Sequence, residues 1–166
     1  MKATECLNSE HDVFLTQLDR IELANKQPAR YKPEAVQGMV ELLRVAVDRH
    51  AHVEEGGIYK ALEPHLGRDQ GPLAVMDQEH EEIRKTVQEI ALWSPDSPRT
   101  VLQKSVAHFI EVLRSHIGKE IEVLFPLAER ILTGKELEHL AASCAHERRP
   151  DACAGPIKTV GKPCGC

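Results

Sequence analysis

The chain has 166 residues, enough for one domain with a real hydrophobic core, and 42% of them are hydrophobic against 4% aromatic. With 21 basic residues and a formal charge of −5, it lacks the basic excess of a general nucleic-acid binder. The first twenty residues carry no positive–apolar–small signal pattern, and no apolar run reaches the ~18 residues of a membrane span. The expectation is a cytoplasmic protein with neither nucleic acid nor membrane as partner.

Four amphipathic helices follow from the spacing of apolar residues. Ser9 and Asp12 form a capping-box-like start for the first, whose stripe is Leu7, His11, Phe14, Leu18 and Ile21. Residues 27–32 are a turn. Pro33 suits the first position of the second helix, whose stripe reads Val36, Met39, Leu43, Ala46, His50, Val53/Glu54, Gly57 and Ala61. Residues 64–72, with a proline at each end, break it. The third helix follows Pro72 and aligns Leu73, Met76, His80, Ile83, Val87 and Ile90. After a loop at 93–98, the fourth runs over about 98–132, with Leu102, Phe109, Leu113, His116, Glu120, Val123/Leu124 and Leu127 inward. Thr133 and Glu136 can cap a short fifth helix reaching about Cys144.

Long helices with short connections predict an all-α fold, an antiparallel up-down four-helix bundle with a short fifth helix and a Cys-rich C-terminal tail. The bundle occupies residues 1–147 and the Pro/Gly/Cys-containing tail 148–166. Five cysteines, three of them in the last fourteen residues, do not make a secreted disulfide framework, and the odd number leaves one unpaired within the chain.

The two halves repeat. Ser-Glu-His11-Asp resembles Gln-Glu-His80-Glu, and each opens a helix pair. Superposing His50 on His116 places Glu54 on Glu120, Ile58 on Leu124 and Tyr59 on Phe125. Each half therefore carries one lone histidine and one His-x-x-x-Glu pair, whose members share a helix face. His11, His50, Glu54, His80, His116 and Glu120 fall where a bundle normally places leucine. Burying six such groups without partners would cost several kcal/mol, a large part of a typical folding free energy of about 5–15 kcal/mol. A metal centre removes that cost.

Imidazole and carboxylate without thiolate suit iron, manganese or zinc. A closed structural zinc site needs four ligands, usually including cysteine. Four nitrogens and four carboxylate oxygens fit two six-coordinate ions better, each with two histidines, sharing the glutamates and an oxo or hydroxo group and keeping an open position. Two iron ions are favoured on that chemistry, with manganese or zinc as substitutes.

The order His11, His50-x-x-x-Glu54, His80, His116-x-x-x-Glu120 resembles the hemerythrin-like (HHE cation-binding) family over about residues 7–132, and Glu55 and Leu124-Phe125-Pro126 share the likeness. The resemblance implies a four-helix bundle holding a non-haem di-iron centre. His11 and His50 would serve one iron, His80 and His116 the other, and Glu54 and Glu120 would bridge them. The oxygen-carrying hemerythrins have a fifth histidine in a His-x-x-x-His pair on the third helix. Here the residues four before and four after His80 are Met76 and Arg84, and the second carboxylate is a glutamate four residues after its histidine. Dedicated oxygen transport is therefore not expected. Glu79 and Glu81 flank His80 but point about 100° away, which makes them poor ligands.

Gly56-Gly57 follows Glu54, and two readings stand: missing side chains open a pocket beside the metals, or the helix is irregular there without a ligand. Tyr59 is read as core packing, and His52, His65, His108, His139 and His146 as surface residues. The Cys164-x-Cys166 end can exchange disulfides, bind a soft metal, or dock a thiol or protein partner; an inert tail is the plain alternative. Three functions fit: reaction with O2, peroxide or nitric oxide, with a peroxidase- or catalase-like activity in oxidative stress defence; an oxygen, iron or redox sensor; and iron storage or delivery, including iron–sulfur repair.

Overall fold

The computed structural model of the protein describes residues 1–147, with side chains to residue 142. Segment 148–166, with Cys153, Cys164 and Cys166, lies outside the described residues, as do the side chains of Cys144 and His146. Every regular element among the described residues is helical.

Helix α1 (Ala3–Lys26) begins six residues before Ser9. The Glu5 carboxylate accepts from the backbone N–H of Lys2 at 2.9 Å and closes the first turn there. The Ser9 hydroxyl instead donates back to the Glu5 carbonyl, a bond made inside a helix. Buried Ala3, Cys6 and Leu7 hold these added turns to the core. Helix α2 (Pro33–Glu54) has its proline at the first helical turn, where a missing N–H costs nothing.

A π-helical turn, Glu55–Tyr59, follows, and helix α3 (Lys60–Leu66) continues through Pro64, where a break was expected. It ends at Gly67, whose φ of 71° is open to glycine and whose N–H bonds the Glu63 carbonyl. Helix α4 spans Pro72–Leu92 and α5 spans Arg99–Lys119. A second π turn, Glu120–Leu124, leads into α6 (Phe125–Ile131). Helix α7 (Gly134–Glu147) extends slightly past the expected end and starts in the expected box: the Glu136 N–H donates to the Thr133 hydroxyl, and the Thr133 N–H to the Glu136 carboxylate.

The π turns change which residues face inward. Each adds one residue to a turn, so the apolar stripe beyond it moves on by one position. After Glu54 the buried residues are Ile58, Tyr59 and Leu62, not Gly57 and Ala61. After Glu120 they are Leu124, Phe125 and Ala128: of the Val123/Leu124 alternatives Leu124 is inward and Val123 is 52% exposed, and Ala128 is buried in place of Leu127. Earlier on α2, Val40 and Val47 are buried in place of Met39 and Ala46.

The core has two apolar clusters. One gathers Phe14, Leu18, Val47, Ile83, Leu113 and Ile117 with residues toward the 27–32 and 93–98 turns. The other gathers Leu7, Ile58, Tyr59, Met76, Leu124 and Phe125 with Leu137 and Ala141 of α7. Helices α1 and α4 pass from the second cluster to the first, and α2 and α5 pass back. Around the ring, α1 packs on α2 and α5, and α4 on α2 and α5. The six polar stripe residues fall between the clusters, one histidine or one His–Glu pair per long helix.

Candidate metal centre

All six residues are buried, with exposures from 0% at His11, Glu54 and Glu120 to 5% at His50. They form two groups: His11, His50, Glu54 and Glu120, and Glu54, His80, His116 and Glu120. Within each group one donor atom per residue lies within 4.8 Å of all the others. Both carboxylates belong to both groups, the arrangement that bridging requires. His50 Nε2 lies 3.0 Å from Glu54 Oε1, His11 Nε2 lies 3.1 Å from Glu120 Oε2, and the two imidazole Nε2 atoms lie 2.9 Å apart. In the second group the corresponding His80–Glu54 and His116–Glu120 separations are both 3.5 Å.

A second layer of carboxylates stands behind these imidazoles. Glu10 meets His50 Nδ1 at 2.7 Å, Glu55 meets His80 Nδ1 at 2.8 Å, and Glu79 meets His116 Nδ1 at 3.2 Å. A carboxylate there takes the Nδ1–H and leaves the Nε2 lone pair facing inward, the tautomer a metal ligand needs. Arg84 holds Glu55 at 2.6 Å, and Lys119 pairs with Glu79. His11 differs: its Nδ1 is buried without a partner, and its ring stacks on Phe125 at 5.6 Å. Glu79, a weak ligand candidate on helix-face grounds, meets the site through the Nδ1 of His116 on the next helix. Glu10 and this use of Glu79 were missed because only tertiary packing brings them to their histidines. Tyr59 is more than packing: its hydroxyl donates to Glu120 Oε1 at 2.8 Å, and its ring stacks on His80.

Charge is concentrated here. Burial pulls the His50 pKa down, yet Glu54 and Glu10 outweigh it and carry it up to about 10. His80 shifts upward for the same kind of reason, against its burial, through Glu54 and Glu55. Burial would raise Glu54, but His50 and His80 hold it well below the usual carboxylate range. Burial, with Glu54 and Glu120 nearby, pushes the Tyr59 hydroxyl far above its ordinary range, so it stays a donor.

The donor set fits a pair of cations. Both oxygens of Glu54, Oε2 of Glu120 and Nε2 of His116 are buried and make no hydrogen bond, although nitrogen and oxygen atoms crowd one another. One donor atom from each residue converges within 4.8 Å of the others in each group, the clustering of imidazole and carboxylate donors that a cation needs. On the side of the first apolar cluster the four histidines border a cavity of about 10 Å³, lined also by Phe14, Val47, Ile83, Leu113 and Ile117. That is room for about one water-sized molecule. The space is not at Gly56-Gly57. A Cβ on Gly57 would meet Leu140 of α7 at 3.8 Å, and one on Gly56 would meet nothing. Of the two readings of that dipeptide, the helix irregularity holds. His52, His65, His108 and His139 lie on the surface, with His108 paired to Glu82.

An all-helical bundle with a buried layer of histidine and glutamate, arranged as two donor groups sharing both carboxylates, defines a helical metal-binding protein. Residues 3–128 match the family Hemerythrin, described as the hemerythrin HHE cation binding domain, and the chain belongs to that family. No curated protein and no solved structure gives a significant match. No helix among the described residues is long and apolar enough to cross a membrane.

Proposed function

We propose that the chain is an antiparallel, hemerythrin-type four-helix protein holding two iron ions, and that it decomposes peroxide. His11 and His50 would hold one ion and His80 and His116 the other, with Glu54 and Glu120 available to both. The carrying observation is the sharing of both buried carboxylates between the two donor groups, next to a cavity that admits only a very small molecule. Imidazole and carboxylate donors without thiolate suit iron, and six residues shared between two sites suit a pair of six-coordinate ions; iron there would supply Lewis acidity and accessible redox states.

The chain's own residues supply confinement and orientation. Phe14, Val47, Ile83, Leu113 and Ile117 keep the cavity apolar and exclude organic substrates by size. Glu10, Glu55 and Glu79 fix the rings of His50, His80 and His116. Tyr59 retains its hydroxyl proton and donates it as a hydrogen bond to Glu120 Oε1, which holds that carboxylate in place. Overall, one H2O2 is oxidised to O2 while a second is reduced to two H2O.

Metal analysis of the purified protein, combined with optical titration against H2O2, O2 and nitric oxide, tests the reading. Two irons per chain with rapid O2 release from H2O2 support it. Two irons with a stable, reversible O2 adduct and no peroxide turnover would replace the enzyme by a carrier or sensor, and a chain without iron would refute the centre.

A further inference from the structure

The two donor groups share both carboxylates, so any difference between them lies in the histidines. At the His80/His116 position both rings give their Nδ1 to a carboxylate, Glu55 at 2.8 Å and Glu79 at 3.2 Å. Both of those carboxylates are tied on the outside, to Arg84 and Lys119. At the His11/His50 position only His50 is so held, by Glu10 at 2.7 Å. The Nδ1 of His11 is buried with no hydrogen-bond partner among the described residues, and the face of its ring stacks on Phe125. A carboxylate behind an imidazole raises its basicity and fixes its angle, and losing one typically weakens metal binding about 10–100-fold.

The same position adjoins an open groove. Between α1 and α2 runs a groove of about 550 Å³, lined by Glu10, Val13, Phe14, Leu42, Val45 and His50 among others. His50 therefore borders both the buried cavity and this outer groove. The Glu10 side chain is 32% exposed, so one residue touches solvent and a metal histidine at once.

Resting on the metal-centre reading above, we propose that the two positions are unequal. His80/His116 holds a permanent ion, and His11/His50 holds an exchangeable one that enters and leaves along the α1–α2 groove past Glu10. Glu55 and Glu79 are positioning residues for the permanent ion, and Glu10 both positions His50 and lines the path of the exchangeable one.

The test uses Co2+ on the metal-free protein, followed by its visible absorption, and then a challenge with EDTA. Wild type should take up two equivalents in two separable steps, and EDTA should remove one equivalent fast and the other slowly. Glu79→Gln keeps an acceptor but removes the charge; it should weaken the tight step about 10–100-fold and leave the loose step in place. Arg84→Met, a surface change that acts only through Glu55, should move the tight step in the same direction. Glu10→Gln should weaken the loose step and accelerate the fast phase. Val45→Trp, on the groove wall, should slow loading and removal of the loose ion without changing its affinity. Two inseparable equivalents, a Glu10→Gln effect confined to the tight step, or unaltered rates in Val45→Trp would each overturn the proposal while leaving the centre intact. A helical chain that binds no Co2+ would overturn the centre as well.

Discussion

Tyr59 donates its hydroxyl hydrogen to Oε1 of Glu120 at 2.8 Å, across 61 residues of sequence and between the two π turns. Both groups are fully buried, and the phenol's raised pKa keeps the proton on the tyrosine. Tyr59→Phe keeps the ring stacked on His80 but leaves a buried carboxylate oxygen without its donor, at a cost of about 1–3 kcal/mol. The variant should melt at lower temperature when metal-free. Its loaded form should show shifted absorption bands, since Glu120 is then free to change how it coordinates. Unchanged melting and spectra would mean that this hydrogen bond has no bearing on the centre.

On the proposed function, small ligands reach the metals through the cavity beside the histidines and not past the glycine pair. Leu113 lines that cavity, and Gly57 points at Leu140. Leu113→Phe should slow azide and peroxide binding at least several-fold, because about 10 Å³ leaves no room for added carbons. Gly57→Val should leave those rates alone while disturbing the contact with α7. Stopped-flow azide binding separates the two, and the reverse ranking would return the access route to the π turn.

Gly56 gives a third expectation. A methyl group there meets nothing within 4 Å, and its φ is not in the left-handed region. Gly56→Ala should stabilise the protein by up to about 1 kcal/mol by narrowing the unfolded ensemble, unless the π turn demands glycine. Denaturant melts read this directly.

Much of the site was legible in the sequence because four histidines and two glutamates occupy apolar stripe positions in a repeated order, and a stripe position dictates burial. Periodicity also places α4 close to its observed bounds, whereas the single helices read from Pro33 to the Pro64 break and over about 98–132 are each divided by a π turn, into α2 and α3 and into α5 and α6. Three things were not legible. A π turn leaves no mark in a local apolar pattern, so the stripe beyond Glu54 was read one residue early, and beyond Glu120 Leu127 was read for Ala128 while Val123 and Leu124 stood as alternatives. Outer partners such as Glu10 on His50 and Glu79 on His116 join different helices, and helix-face arithmetic within one helix says nothing of them. The start of α1 was missed for a third reason: Ser9 is a good capping residue that here sits inside a helix already closed by Glu5.

The shifted stripe makes its own prediction. Leu124 is 1% exposed and Val123 is 52% exposed, although α-helical spacing from Glu120 allows either to face inward. Leu124→Ala should cost about 2–5 kcal/mol, as deletions of fully buried leucines do, while Val123→Thr stays within about 0.5 kcal/mol. Equal costs would mean that the second π turn does not form in solution.

Removing the metals should make stability depend on pH in a direction fixed by the histidines. In the metal-free chain Glu54 and Glu10, against burial, raise His50 from 6.5 to about 10, and His80 moves the same way. A raised folded pKa means that the bound proton stabilises fully below 6.5, and that this contribution is lost as pH climbs through about 10. Glu54 is lowered, so its contribution is present above its ordinary 4.5 and fades as pH falls below that value. Metal ions take the place of the histidine protons, because a coordinated imidazole must be neutral. The melting temperature of the metal-free protein should therefore fall steadily from about pH 6.5 to pH 10, while the loaded protein stays nearly flat over the same range. Loading at neutral pH should release protons, visible with an indicator dye in weak buffer. Proton-neutral uptake, or a metal-free protein whose melting is level across that window, would show that the buried histidines are not charged when the metals are gone.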